Sequence, residues 1–276
     1  MTVREFTYTE EDFQRIREFV YSHTGISLSD GKREMVYSRL SRRLRSLGLQ
    51  RFADYRALLE RDGGELEQLT NAITTNLTAF FREQHHFDHL GKTLIPGLLR
   101  RNSASRRLRL WSAGCSTGEE VYSIAMTVLE NIPNAAQWDI KLLATDLDSN
   151  VLEIGSGGVY PLERIEKLPA EKIRKYFLRG SGANDGKVKV SNELRELITF
   201  RKLNLIQSWP SLGSFDVVFC RNVVIYFDKT TQMELFDNFA RVLNDDGHLF
   251  VGHSETLSNL TDRFASLGKT IYKKIR

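Results

Sequence analysis

From about residue 107 onward, short apolar runs alternate with amphipathic helical stretches, and that alternation limits the chain to a mostly parallel sheet covered by helices on both faces. Strands are expected at 108–111, 140–144, 199–203, Phe215–Cys220, 248–251 and 270–275. The run Phe215-Asp-Val-Val-Phe-Cys220 is almost wholly apolar, as a strand buried on both faces must be. Helices are expected at 119–130, where Val121, Ile124, Ala125, Val128 and Leu129 recur at helical spacing, near Val151, and at 229–243. The expected fold class is therefore a doubly wound, Rossmann-like α/β sheet.

The first 88 residues have a different character. Thr9-Glu-Glu-Asp12 opens a helix that carries Phe13, Ile16, Phe19 and Val20 on one face. Gly25 and Ser29-Asp-Gly interrupt it, and helices follow at 32–47, 52–61 and 64–74. We expect an all-α N-terminal domain over 1–88 and the α/β domain over 89–276. One interval inside the latter is too long. Asp146 to Phe215 covers about 70 residues where two sheet units need about 40. The surplus carries a short helix near 169–177 and Asn184-Asp-Gly ahead of Val188 and Val190, a hairpin signal. A small β-subdomain over 156–198, standing off the main sheet, is expected.

Composition narrows the setting. Hydrophobic residues at 41% and charged residues at 27% exclude a disordered or fibrous chain. The two cysteines, Cys115 and Cys220, form no CxxC pair, which excludes a zinc ribbon or thioredoxin-type site and suits a reducing compartment. No apolar run reaches the roughly 20 residues of a membrane span, and residues 1–8 have no signal-like core, so a cytoplasmic protein without membrane insertion is expected. Net charge is +4, yet residues 32–61 alone hold nine Lys/Arg against three acids. On the helix at 32–47, Arg39, Arg42 and Arg45 lie opposite Val36, Leu40, Leu44 and Leu47. An ordinary solvated face is one explanation. A nearly pure arginine stripe repels itself, however, and so invites an acidic partner.

The chemistry concentrates at strand ends. The first strand runs into Ser112-Ala-Gly-Cys-Ser-Thr-Gly-Glu-Glu120, a tight loop that is either a structural turn or a ligand cradle. Its two acids would repel a phosphate and suit an ammonium or sulfonium group. The second strand ends in Asp146-Leu-Asp148, where one acid can accept from both ribose hydroxyls or cap the next helix.

Five motifs in order then resemble one family: Thr75-Asn76-Leu-Thr78-x-Phe-Phe-Arg82, Gly114-Cys-Ser-Thr-Gly-Glu-Glu120-x-Tyr122-Ser123, Ala144-Thr-Asp146-x-Asp148, Phe219-Cys-Arg-Asn222-Val-x-Ile-Tyr226-Phe and Gly252-His253-Ser-Glu255. Together they resemble the bacterial chemotaxis receptor methyltransferases, the CheR family, over essentially the whole chain. Val121 stands where many members have Pro, which touches only the first helical turn. The resemblance implies S-adenosylmethionine as cofactor, S-adenosylhomocysteine as product, no metal, and glutamate side chains on the cytoplasmic helices of chemoreceptors as substrate. It implies that Asn76, Thr78 and Arg82 line the cofactor pocket and that Glu120 and Asp146 face the methionine amine and ribose. It further implies Asn204 and Leu205 beside the adenine, with Cys220, Arg221 and Asn222 closing the pocket.

A glutamate carboxylate, with a pKa near about 4.3, is ionised at neutral pH and needs no general base. Arg82 and Tyr226 are the candidates to orient it, Arg39, Arg42 and Arg45 to bind the receptor's helical bundle, and the β-subdomain to take a receptor tail peptide. His253 is given no catalytic role, and His85, His86 and His89 are read as structural rather than metal-ligating. A monomer is expected. A nucleic-acid methyltransferase is disfavoured because the basic segment lacks interleaved aromatics. A non-catalytic adenosine-ligand sensor is disfavoured because Arg82 and Tyr226 are present.

Overall fold

A computed structural model of the chain describes residues 4–276. It divides into two compact units, one formed by the residues up to Thr75 with Tyr226–Thr231, the other by Asn76–Ile225 with Gln232–Arg276. The first boundary thus falls well before residue 88, and the helical unit recruits a segment from far along the chain.

The helical unit contains α1 (Glu10–Thr24), α2 (Arg33–Leu47), α3 (Phe52–Leu59) and α4 (Gly63–Ile73). Thr9 and Asp12 form a capping box, Asp12 N donating to Thr9 Oγ1 at 3.1 Å and Thr9 N to Asp12 Oδ2 at 2.8 Å. Gly25 and Gly48, both at positive φ, end α1 and α2. The helical spacing read from the sequence buries Phe13, Ile16, Val36, Leu40 and Leu44 completely, and Phe52 and Tyr55 close the core. Ser27 N donates to Tyr226 O at 2.8 Å, tying the returning segment to this unit.

The second unit begins with α5 (His85–His89), which continues through a π turn over Leu90–Leu94 into α6 (Ile95–Arg101). It continues as β1 (Arg107–Ala113), α7 (Glu119–Asn131), β2 (Asp139–Asp146), α8 (Ser149–Gly157), β3 (Val159–Pro161), α9 (Ala170–Tyr176), β4 (Phe177–Arg179), β5 (Lys187–Val190), α10 (Asn192–Arg195) and β6 (Ile198–Lys202). The chain ends with β7 (Phe215–Cys220), α11 (Lys229–Val242), β8 (Leu243–Val251), β9 (Phe264–Gly268) and β10 (Ile271–Lys274). The main sheet has the order β6-β2-β1-β7-β8-β10-β9. Its first five strands are parallel, and β10 and β9 are added antiparallel. The chain winds outward from β1 to β6 and then crosses back to β7, so a crevice opens at the carboxyl ends of β1 and β7.

The inserted subdomain is a second sheet, β3-β5-β4. It does not stand off the main fold as expected. Tyr160, Ile165, Tyr176, Phe177, Val188 and Val190 are buried in the same core as the main sheet. The alternation in β5, with Val188 and Val190 inward and Lys187 and Lys189 exposed, faces that core. Strand β9 was not legible in the sequence, because Phe264-Ala-Ser-Leu-Gly268 buries only its first residue.

Candidate active site

The loop after β1 turns sharply. Gly114 has φ +86°, and a Cβ there would come within 2.3 Å of Val223 Cγ2, so glycine is required. Gly118, at φ +95°, then starts α7. Ser116 N donates to Asp146 Oδ2 at 2.8 Å, and Asp148 N to Asp146 Oδ1 at 3.0 Å. These bonds fix the carboxylate while leaving each oxygen a second lone pair. Burial raises the pKa of Asp146, with the two backbone N–H groups acting against it. The neighbouring acid does the capping: Asp148 accepts from Asn150 N at 2.9 Å and from Asn76 Nδ2 at 2.7 Å. The choice left open between the two acids is thereby resolved for Asp148, the helix cap, and Asp146 remains turned to the loop. Next to it, Leu203 N donates to Asp146 O at 3.0 Å, which sets Asn204 and the buried Leu205 just beyond the end of β6.

Charge is concentrated around Arg221, at the end of β7. Its guanidinium meets Glu120 Oε2 at 2.9 Å, Glu83 Oε2 at 3.1 Å and Arg82 O at 2.6 Å, over the ring of Phe87. Its side chain is 1% exposed. Arg221 is therefore an internal tie at the end of β7 and has little left to offer a ligand. Glu120 also accepts from Ser112 Oγ at 2.8 Å. Burial raises the pKa of Glu120, partly countered by Arg221. Burial also works against Glu83, but His253, which lies 3.0 Å from it, and Arg221 outweigh it and hold its pKa at about 2. Both residues flanking Arg82, Phe81 and Glu83, have positive φ. This strained turn, anchored by Phe81 N on Ser123 Oγ at 2.9 Å and Arg82 Nη1 on Leu77 O at 2.8 Å, fixes a half-buried guanidinium. Thr78 lies on the same segment, half-buried.

Cys220 is a buried free thiol whose pKa burial pushes well above its ordinary value. Asn222, at φ 59°, begins the turn after β7. Glu255 accepts from Asn222 N at 2.9 Å and from Gly252 N, and a Cβ on Gly252 would meet Asn222 Nδ2 at 2.4 Å. Glu83 and Glu255 thus brace the turns around Arg82 and Asn222 without having been singled out. Glu83 follows Arg82 directly, and Glu255 belongs to a motif whose function the sequence does not reveal. The side chains of Glu83, His85 and His86 also bring ligand atoms within 4.8 Å of one another. His86 is buried against Lys269 O at 2.9 Å, and burial, followed by Arg221, pulls its pKa to about 4.

The remaining residues singled out in the sequence belong to the helical unit. Tyr226 is half-buried and ends a short turn. Arg39 is committed inside the unit: its guanidinium caps α4 at the carbonyls of Ile73 and Thr74 and at Thr75 Oγ1. Arg45 forms a two-pronged pair with Glu5, and Arg43 reaches the buried Glu65. Of the predicted stripe, only Arg42 is exposed without an ion-pair partner among the described residues. Within the stripe, Glu5 neutralises Arg45 and backbone carbonyls take up the Arg39 guanidinium, so the three arginines do not form one free cationic face.

Two carboxylates, Asp146 and Glu120, beside a backbone-lined loop suit hydroxyl and amine groups better than a phosphate, which they would repel. The chain matches the family described as CheR methyltransferase, SAM binding domain, over residues 76–273, and that described as CheR methyltransferase, all-alpha domain, over residues 11–74. It is 49% identical over 271 residues to chemotaxis protein methyltransferase 2 of Pseudomonas aeruginosa, covering 98% of this chain and 95% of the relative. It is 46% identical over 268 residues to the chemotaxis protein methyltransferase of Escherichia coli, covering 96% and 91%. With both units matched along almost their whole length, the chain belongs to the CheR family of chemotaxis methyltransferases, enzymes that use S-adenosylmethionine.

Proposed function

We propose that the enzyme esterifies glutamate side chains on the cytoplasmic helices of chemoreceptors, acting in the cytoplasm. The observation that carries this reading is the Arg82 turn. Arg82 sits between two left-handed residues, its backbone carbonyl accepts from Arg221, itself paired with Glu120, and its guanidinium donates to Leu77 O, which makes it a fixed cation beside the proposed cofactor seat. A fixed cation suits an anionic acceptor such as a carboxylate.

Bound S-adenosylmethionine supplies an electrophilic sulfonium methyl group. Asp146 accepts from the ribose hydroxyls, and Glu120 holds the amine. Asn76 and Thr78 line the same pocket, Asn204 and Leu205 flank the adenine, and Cys220 and Asn222 close the floor. Arg82 and Tyr226 orient the incoming carboxylate, which is already ionised, so these residues align rather than deprotonate. The resemblance supports a receptor tail peptide on an outer edge of the three-stranded sheet, where β3 and β4 are the edge strands.

The test is transfer of labelled methyl to receptor-rich membranes, followed by alkali. Release as volatile methanol is expected of a carboxyl ester. Label that stays with the protein after alkali would mean methylated nitrogen and would overturn the glutamate assignment.

A further inference from the structure

The inserted subdomain is surplus to the sheet units around it, yet its first turn reaches the Thr78 segment and the start of α7. Arg164 ends the short 3-10 turn Leu162–Arg164 that follows β3. One nitrogen, Nη1, donates to Thr78 O at 3.3 Å, and the other, Nη2, lies 3.3 Å from Glu119 Oε1. Glu119 is the first residue of α7, directly after the glycine loop, and is fully buried. Its other oxygen accepts from Thr117 Oγ1 at 2.6 Å, and among the described residues Arg164 is its ion-pair partner. Four residues earlier, Tyr160 Oη donates to Thr117 O at 2.6 Å. Phe80, on the segment that carries Thr78 and Arg82, packs edge-on against Tyr160 at 5.3 Å and Phe177 at 5.4 Å.

From this we infer that Arg164 is a positioning residue for cofactor binding, a fork from the inserted subdomain that holds the Thr78 segment and the 114–120 loop at fixed separation. The inference rests on those two segments forming the cofactor seat. A buried carboxylate left without its cation shifts toward water, and the loop that carries it moves with it. A carbonyl released on the Thr78 side loosens the opposite wall. Arginine is needed because its planar fork addresses two acceptors at once, whereas lysine offers a point charge. The Arg164 side chain is 42% exposed, so solvent screens the pair and the effect on binding is moderate.

The experiment measures S-adenosylhomocysteine affinity by calorimetry for Arg164→Met, Arg164→Lys and Tyr160→Phe, with Asp146→Ala as reference, alongside KM for S-adenosylmethionine and for receptor. Arg164→Met is expected to weaken affinity about fivefold and to raise the cofactor KM equally, leaving the receptor KM unchanged. Arg164→Lys should recover only part of the loss. A merely structural bridge would lower the melting temperature and leave affinity alone. Wild-type affinity in both Arg164→Met and Tyr160→Phe, with Asp146→Ala weakened, overturns the inference and spares the site. Should Arg164→Met fail to fold, Arg164→Lys and Tyr160→Phe decide by the same comparison. Wild-type affinity in Asp146→Ala as well would remove the cofactor seat and this inference with it.

Discussion

In the helical unit, Arg45 and Glu5 pair with both side chains more than half exposed, whereas at the end of β7 Arg221 joins Glu120 and Glu83 with 1% of its own side chain exposed. The geometries are similar and the consequences are not. An exposed pair exchanges water for protein at little gain, about 0–1 kcal/mol. The buried cluster has already given up its water, so each member depends on the others. Charge density along the sequence draws attention to the helical unit. Charge that is buried and mutually dependent marks the site.

The largest expected effect comes from breaking the buried cluster on one side. Arg221→Met leaves two carboxylates without their cation and frees the Arg82 carbonyl. We expect a loss of about 3–5 kcal/mol of stability, read from chemical denaturation. A loss below about 1 kcal/mol would place the cluster with the exposed pairs and end the contrast.

Acid provides a second test of the buried side. Burial depresses His86 and His248, each to about 4, and both are almost fully covered. A histidine whose folded pKa lies below its unfolded value binds its proton more readily when unfolded. Stability should therefore decline as pH falls from about 6.5 to 4, by at most about 3 kcal/mol per histidine. Glu83, depressed to about 2, adds a loss only below about pH 4.5. Denaturation midpoints measured across this range check the sign. A flat profile between pH 6.5 and 4 would contradict the burial assigned to these rings.

Within the cofactor seat, Asp146→Ala should weaken S-adenosylhomocysteine at least tenfold by calorimetry, with charge-assisted bonds worth about 1.5–3 kcal/mol removed. An unchanged affinity would move the ribose contact off Asp146. Because Asp148 caps α8, its replacement should instead cost stability.

How much of this was legible follows from the range of each interaction. The helix face of Phe13, Ile16, Val36 and Leu40 and the strand Phe215–Cys220 are written locally in period and polarity, and they fold as read. The position of Asp146 at the end of β2 was legible because a strand end is also written locally. The Arg221 cluster was not, because Glu83, Glu120 and Arg221 meet only after β1 and β7 pair. Arg39 was misread for the same reason: its partners, Ile73, Thr74 and Thr75, lie at and just past the end of α4, beyond the window of any helical projection. The subdomain's hairpin was visible in Asn184-Asp-Gly, but its burial against α7 through Tyr160 and Leu194 was not.

The smallest effect lies on the exposed side and asks whether any of the arginine stripe meets the receptor. Arg42 is exposed and unpaired among the described residues, and Arg45 would have to leave Glu5 to help it. Arg39 should take no part, since its guanidinium caps α4, and Arg39→Ala should lower stability rather than change KM. If the receptor's acidic bundle docks here, Arg42→Glu should raise the receptor KM severalfold, on the order of 1 kcal/mol, with cofactor affinity intact. The effect should shrink as salt rises, because exposed charges are screened over about 8 Å at physiological ionic strength. Glu5→Ala sharpens the test. Freeing Arg45 should lower the receptor KM slightly if the stripe docks, and should do nothing if its charges are only solvated. Wild-type KM in Arg42→Glu at low and high salt would show that the exposed arginines serve the helical unit alone.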